Sequence, residues 1–555
     1  MYSSISFIMK RFFFLILFIG LLINSYSQTQ QQPKLIVGIV VDQMRPEYLY
    51  RFYNQFSDNG FRRLLKQGFV CRNTHLNYVP TYTGPGHASI YSGTSPRYHG
   101  IVANDWYDRK LKRSVYCVAD SLQQTIGSEL DKRGLSPHNL LSTNICDELK
   151  IFTNGKANVI SLSLKDRAAI LPAGHMANGA FWFDEKSGNF VSSTFYMKEL
   201  PNWVINFNAQ KKSSYYMQQV WTPLRADSTY TYSLADDNNY ETILKGKSRP
   251  VFPYDLKALA TANPPYFHLL FSTPYGNSLL ADFAINTLQN TTLGRNTCSD
   301  FLAISFSSTD YVGHAFGPLS KEINDTYLRL DNDIARVLNA LDSTIGENNY
   351  LLFLTADHAM AEVPTYLIDN KIPAGFFQSS SLKVLANSYL SAKLGQNKWI
   401  EAADNDQFYL NRTLIADKGL NLIEIQNILA EFLRQQPNIA QVYTQNQLDN
   451  QEYILDIAAR VQRGFYFHRS GDVAIVLEPG WVSDMKEGTT QGSSHGSAYA
   501  YDTNIPLIWF GANVKSGQSF IYHPVVDIAA TLAAILHTKY PSACIGNPIT
   551  ELLGN

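Results

Sequence analysis

The chain has 555 residues, 45% of them hydrophobic and 17% charged, with a net charge of −1. That length exceeds one simple domain, so several domains or one core carrying large insertions are expected. The balanced charge excludes a basic nucleic-acid face and an acidic disordered tail, so no nucleic acid is expected as a specific partner.

At the N-terminus, Lys10-Arg11 precede the apolar run Phe12 to Ile23, and the small residues Ser25 and Ser27 follow. This is the layout of a secretory signal peptide over residues 1–27, with Met9 as the better start and cleavage expected near Ser27–Gln28. The run is shorter than the roughly 20 residues that span a bilayer. No later stretch is long and apolar enough to do so, which predicts an exported soluble protein, periplasmic or secreted, with no membrane span in its mature chain. Cys71, Cys117, Cys146, Cys298 and Cys544 are odd in number and show no CxxC spacing. An oxidising compartment permits one or two disulfides among them, with the pairing open. Oligomeric state is equally open, a monomer being the working expectation.

Leu35 to Val41 is a continuous apolar, β-branched run ending at Asp42, which predicts a strand buried on both faces of a parallel sheet. Phe61 to Lys66 predicts a helix closed by Gly68. Val79 to Ile90 predicts an extended segment, a turn at Pro85-Gly86 and then a helix. The Thr83 hydroxyl is expected just ahead of that helix, where free N–H groups and the macrodipole favour an anion. Asn104-Asp105-Trp106 is expected in a loop, and residues 105–150 as a polar surface excursion. Asn158 to Ser163 predicts another strand, opening into Leu164-Lys165-Asp166-Arg167.

Residues 178–295 are rich in Tyr, Asn, Ser and Pro without βα alternation, and are expected to form an insertion that shapes the substrate cleft. Phe301 to Phe306 predicts a buried strand leading to Asp310. Ile323, Tyr327, Leu330, Ile334, Val337 and Leu341 recur at helical spacing, predicting a long helix between Ser320 and Leu341. Tyr350 to Thr355 predicts a strand closed by Ala356-Asp357-His358. A second insertion is expected over 362–470, with an amphipathic helix from Asn421 to Phe432. The core then returns through Val473 to Leu477, the Gly/Ser loop around His495, a strand at Ile505 to Phe510 and a helix at Val525 to Leu536. Strands alternating with helices predict an α/β fold, a mostly parallel sheet sandwiched by helices, over one catalytic domain at 34–540.

Asp42, Asp310 with His314, and Asp357 with His358 fall just past the ends of predicted strands, where α/β sheets bind ligands. His495 sits in a loop able to reach the same edge. Asp310 and His314 are four apart, one helical turn, and share a face. Each residue alone reads as an ordinary cap or turn residue; a helix-start threonine, three strand-end carboxylates and three histidines together point to a site. Carboxylate and imidazole ligands suit zinc better than a soft or an all-oxygen metal. His75, His87, His99, His138, His175, His268, His468, His523 and His537 are taken as structural or surface.

Such a set supports hydrolysis through a covalent intermediate. Two zinc ions about 4 Å apart stabilise both oxygens of an in-line displacement, and coordination activates an otherwise weak Thr nucleophile. A phosphoryl group in transfer spreads charge over its equatorial oxygens and needs donors around it. Lys165 and Arg167, two apart on one strand, point to the same face and supply cations; Asn104 adds an amide.

The order Asp42, Thr83 in Thr-Gly-Pro-Gly-His, Asp310 with His314, Asp357-His358 and His495 resembles the alkaline phosphatase superfamily. Asn104 and Lys165-Asp166-Arg167 are similar to its PafA-type phosphate monoesterases, over 34–540. That resemblance implies one zinc on Asp310, His314 and His495 and another on Asp42, Asp357 and His358. It implies Thr83 as the residue that bridges to the second zinc and is phosphorylated, with Asn104, Lys165 and Arg167 binding the phosphate oxygens of a small-molecule monoester. A nucleotide pyrophosphatase or phosphodiesterase on the same scaffold is the alternative; the cationic pair favours the more highly charged monoester. The Cys/Ser-x-Pro-x-Arg motif of sulfatases is absent at Thr83, and no third, magnesium site is visible.

Overall fold

A computed structural model describes residues 32–553 except 484, 486 and 487. The expected signal peptide, residues 1–27, lies outside the described residues. The central sheet has ten strands: Leu35–Val41 (β1), Phe69–His75 (β2), Thr125–Ile126 (β3), Val159–Ser163 (β4), Gly179–Asp184 (β5), Asn189–Ser193 (β6), Asp300–Phe306 (β7), Tyr350–Thr355 (β8), Asn504–Gly511 (β9) and Gly517–Pro524 (β10). Their order is β10-β2-β9-β8-β1-β7-β4-β5-β6-β3.

The middle of the sheet is parallel. β1 pairs with β7 from Leu35↔Asp300 to Val41↔Phe306 and with β8 from Leu35↔Tyr350 to Val40↔Thr355. β7 pairs parallel with β4, and β4 with β5. Every residue of β1, β7 and β8 is buried, as unbroken apolar runs require when helices cover both faces. The flanks reverse direction: β9 runs antiparallel to β8 and β2, and β6 antiparallel to β5.

The helices that frame the site are Thr83–Ser92 (α1), Asp166–Ala173 (α2), Pro274–Asn290 (α3), Ser308–Phe316 (α4), Lys321–Thr344 (α5) and Asp527–Leu536 (α6). Ser320 caps α5, its hydroxyl accepting from the Ile323 N–H at 3.1 Å. The predicted stripe from Ile323 to Leu341 is buried throughout.

Three expectations are corrected here. The segment 178–295 is not wholly an insertion: β5 and β6 extend the central sheet, and α3 packs along α5. The apolar run Val473–Leu477 does not return to the core but pairs with Ile439–Thr444 and Gln407–Leu410 in a separate four-stranded sheet. The second insertion therefore continues past 470, and holds a hydrophobic core of its own around Leu390, Trp399, Leu429 and Ile475. Its amphipathic helix forms at Leu422–Arg434. The five cysteines are all unpaired.

Candidate active site

Because β1, β7, β8 and β4 are parallel, they deliver the residues that follow them to a single edge of the sheet. Asp42 follows β1, Asp357-His358 follow β8, Lys165 follows β4, and Asp310 and His314 lie on α4, which starts directly after β7. The loop carrying His495 closes over the same edge.

Two groups of ligand atoms result, each lying within 4.8 Å of one another: Asp42, Asp357 and His358; Asp310, His314 and His495. In the first, His358 Nε2 is 3.5 Å from Asp42 Oδ1 and 3.7 Å from Asp357 Oδ2. In the second, Asp310 Oδ1 is 3.2 Å from His314 Nε2 and 3.6 Å from His495 Nε2. A tetrahedral ion held at about 2.0–2.1 Å spaces its ligand atoms about 3.4 Å apart, so both groups have the dimensions of such a site. The rings of His358 and His495 stack at 3.6 Å, which sets the two groups side by side.

Three observations fit a metal here. Asp42 Oδ1, Asp357 Oδ2 and His358 Nε2 are buried without a hydrogen-bond partner, a costly state for polar atoms unless an ion takes them up. Each histidine is also tethered through Nδ1 to a backbone carbonyl: His314 to Ser493 at 2.8 Å, His358 to Ala359 at 3.0 Å and His495 to Thr81 at 2.7 Å. A carbonyl only accepts, so Nδ1 carries the proton and Nε2 keeps its lone pair for the site, as when a backbone carbonyl orients an imidazole toward a metal. Finally, the Lys165 ammonium stands in as a cation, 2.6 Å from both Asp42 Oδ2 and Asp310 Oδ2.

The electrostatics follow from this crowding. Burial, with Asp357 beside it, pushes the Asp42 carboxyl up to about 8. Burial pushes Asp357 up to about 7. At Asp310 burial acts upward but Lys165 and His314 outweigh it, holding the carboxyl well below its usual range. Burial works against the Lys165 charge too, and Asp310 and Asp42 overcome it. Burial keeps His358 and His495 neutral, the form that binds metals.

Thr83 is buried, and it is the first residue of α1 rather than a residue ahead of the helix. Its Oγ1 lies 3.5 Å from Lys165 Nζ. Asn104 accepts from the Gly84 N–H through Oδ1 at 2.8 Å, which leaves its Nδ2 hydrogens for a ligand. α1 comes this close to β8 because residue 86 is glycine: a Cβ there would sit 2.4 Å from the Asp357 carbonyl oxygen.

Lys165 and Arg167 do not share a strand face. β4 stops at Ser163, Lys165 is the N-cap of α2 and Arg167 lies in its first turn. They diverge accordingly: Lys165 turns inward, while Arg167 Nη1 donates to the Tyr116 hydroxyl at 3.2 Å, and that hydroxyl donates to Asp166 Oδ1. An open cleft of about 510 Å³ lies over the site, lined by Tyr82, Asn104, His314, Phe377, Asp404 and His495. Its far wall thus comes from the second insertion, whereas residues of 178–295 line a separate cavity of about 350 Å³ with Lys165 and Arg167.

Sequence reasoning passed over two residues. His87 is fully buried; its Nδ1 lies 2.9 Å from the Thr83 carbonyl and 3.4 Å from Asp357 Oδ2, and its Nε2 lies 2.8 Å from Ser305 Oγ. Its position four residues after Thr83, one helical turn, was the available signal. Gln43 touches both ligand groups and carries no motif that would single it out.

The chain matches the type I phosphodiesterase / nucleotide pyrophosphatase family over residues 36–498. It is 42% identical over 529 residues to a Myroides odoratus protein named calcium-transporting ATPase, covering 95% of this chain and 96% of that one. It is 40% identical over 536 residues to alkaline phosphatase PafA of Elizabethkingia meningoseptica, covering 96% and 97%. A crystal structure of wild-type PafA superposes with a TM-score of 0.90 at 40% identity, over 94% of this chain and 99% of that chain. The chain belongs to the alkaline phosphatase superfamily. Within it the chain is PafA-like along nearly its whole length, and it is a phosphatase.

Proposed function

We propose that the protein is an exported alkaline phosphatase that hydrolyses phosphate monoesters through a phospho-Thr83 intermediate. The observation that carries this reading is the Thr83 hydroxyl at the start of α1, beside an ammonium that joins both ligand groups. Asp42, Asp357 and His358 would hold one zinc ion and Asp310, His314 and His495 the other; when bound they supply Lewis-acid stabilisation of the attacking and leaving oxygens.

The chain's own groups do the rest. Asn104 Nδ2 and Lys165 Nζ donate to the phosphoryl oxygens, where charge gathers in the transition state. Arg167, two residues further along and steadied by Tyr116, is assigned as a second cation for the same dianion. Thr83 Oγ1 forms its bond to phosphorus as the bond to the alcohol oxygen breaks, and the proton it gives up ends on the departing alcohol. Water then attacks the phospho-threonine, releasing phosphate and restoring the hydroxyl. Burial of Thr83 excludes bulk water from the first step.

An ATPase and an alkaline phosphatase, as the two relatives are named, share the removal of a terminal phosphoryl group, and that event is the one assigned here. Among the described residues no helix is long and apolar enough to cross a membrane. The family description favours the diesterase alternative. The Lys165 ammonium at the nucleophile favours a monoester, whose extra charged oxygen it neutralises.

Replacing Thr83 with alanine tests the intermediate. Turnover should fall by at least about 10³-fold, the scale of losing a nucleophile, with the zinc content unchanged. Retained turnover in that variant would remove Thr83 from the mechanism.

A further inference from the structure

Gln43 is the residue at which the two ligand groups meet. It is 1% exposed, and its backbone has φ 64°, the left-handed region that side chains other than glycine enter at a cost. That conformation turns its main chain and its side chain toward different carboxylates. The backbone N–H donates to Asp357 Oδ1 at 3.2 Å, leaving Asp357 Oδ2 for its group. The side-chain Nε2 donates to Asp310 Oδ1 at 2.8 Å. Asp310 Oδ1 is the oxygen that faces His314 and His495. Gly313 makes the approach possible, since a Cβ there would lie 1.9 Å from Gln43 Oε1.

We propose that Gln43 is a positioning residue whose amide fixes the Asp310 carboxylate, and so sets the metal affinity of the Asp310–His314–His495 group. The proposal rests on the two-metal reading above. The other Asp310 oxygen, Oδ2, is held by Lys165 at 2.6 Å. Without the amide, that one strong ion pair governs the rotation of the carboxylate and draws it away from the histidines. A neutral amide serves here better than a second cation, because it orients the oxygen without opposing the charge of an incoming ion. Outer-shell partners of this kind typically change metal affinity by about 10- to 100-fold. The Asp42 group depends on Gln43 only through the backbone N–H, which any residue at 43 retains except proline. The two groups should therefore respond differently to loss of the side chain.

The test is a zinc titration of the chelator-stripped full-length protein against a competing chromophoric chelator. The wild type is compared with Gln43→Met, which keeps length without the donor, and Gln43→Gly, which relieves the positive φ and preserves folding. The wild type should take up two ions. Each variant should keep one at wild-type affinity and weaken the other by about 10- to 100-fold, and cobalt substituted at the weakened group should show an altered visible spectrum. Two ions at wild-type affinity in both variants would overturn the proposal, as would equal weakening of both ions. Fewer than two ions on the wild type would overturn the two-metal reading and this proposal with it, so the wild-type count separates the two failures.

Discussion

At the scale of single residues, the site is a crowd of charges that one ammonium holds together. Asp42, Asp310 and Asp357 are buried, and Lys165 is the cation bonded to two of them. Substituting Lys165 with alanine should lower kcat/KM on a monoester by about 10²- to 10³-fold, the scale of one lost transition-state donor. Combining it with Arg167→Ala should cost monoesters far more than diesters; equal losses on both, measured side by side, would remove the pair from phosphate recognition. That Asp42, Asp310, His314, Asp357, His358 and His495 gather at one edge of the sheet was legible in the sequence, because they lie just past apolar runs or, for His495, in a Gly/Ser loop. Gln43 was not, because its contacts depend on an unusual φ that one-dimensional spacing does not encode. His87 showed only its one-turn spacing from Thr83; its contacts with Ser305 and Asp357 depend on the approach of β7 and β8 to α1.

Among the elements, the contact between α1 and the end of β8 fixes Thr83 relative to Asp357. Gly86→Ala would press a methyl group to 2.4 Å from the Asp357 carbonyl oxygen, a backbone atom that no rotamer change can move away. Overpacking of this kind costs about 1–3 kcal/mol. The variant should therefore melt lower and lose more activity than that loss of stability explains; unchanged melting and activity would show that the contact is slack. The strands of the central sheet were read correctly wherever an unbroken apolar run ended at a polar residue. Val473–Leu477 has the same signature and lies in the other sheet, since an apolar run reports burial but not which core buries it. The Lys165 segment was misread for a different reason. β4 ends at Ser163, whose hydroxyl donates to the Ser305 carbonyl at 3.0 Å, and the chain turns into α2 before the strand alternation reaches Arg167.

Over the whole molecule, burial also perturbs acidic groups that are not among the site residues. Glu241 and Glu322 are almost fully buried, Glu241 accepting from Asn238 at 2.6 Å and Glu322 from Tyr254 at 2.7 Å. Burial, with Glu322 adding to it, pushes Glu241 up to about 10, and burial pushes Glu322 up to about 8. Unfolded glutamates ionise near 4.5. Their contribution to stability is thus full below that pH, and is lost as pH rises through about 8 and about 10. The melting temperature should therefore fall from near pH 4.5 up to about 10, most steeply below about 8 where both groups contribute, and Glu241→Gln should flatten the fall; a pH-independent melting temperature in the wild type would contradict the assignment. The fold as a whole was legible down to its parallel centre. The antiparallel flanks and the extent of the second insertion were not, because pairing direction is settled by long-range contacts.

The central claim, a monoesterase working through Thr83 between two metal groups, is tested most directly by the ratio of kcat/KM on p-nitrophenyl phosphate to that on bis-p-nitrophenyl phosphate, measured with the zinc-loaded wild type. The account predicts a ratio far above one, because Lys165 meets a dianion that only the monoester presents. A ratio below one would contradict it, keeping the fold and the nucleophile but moving the activity to the phosphodiesterase side of the family.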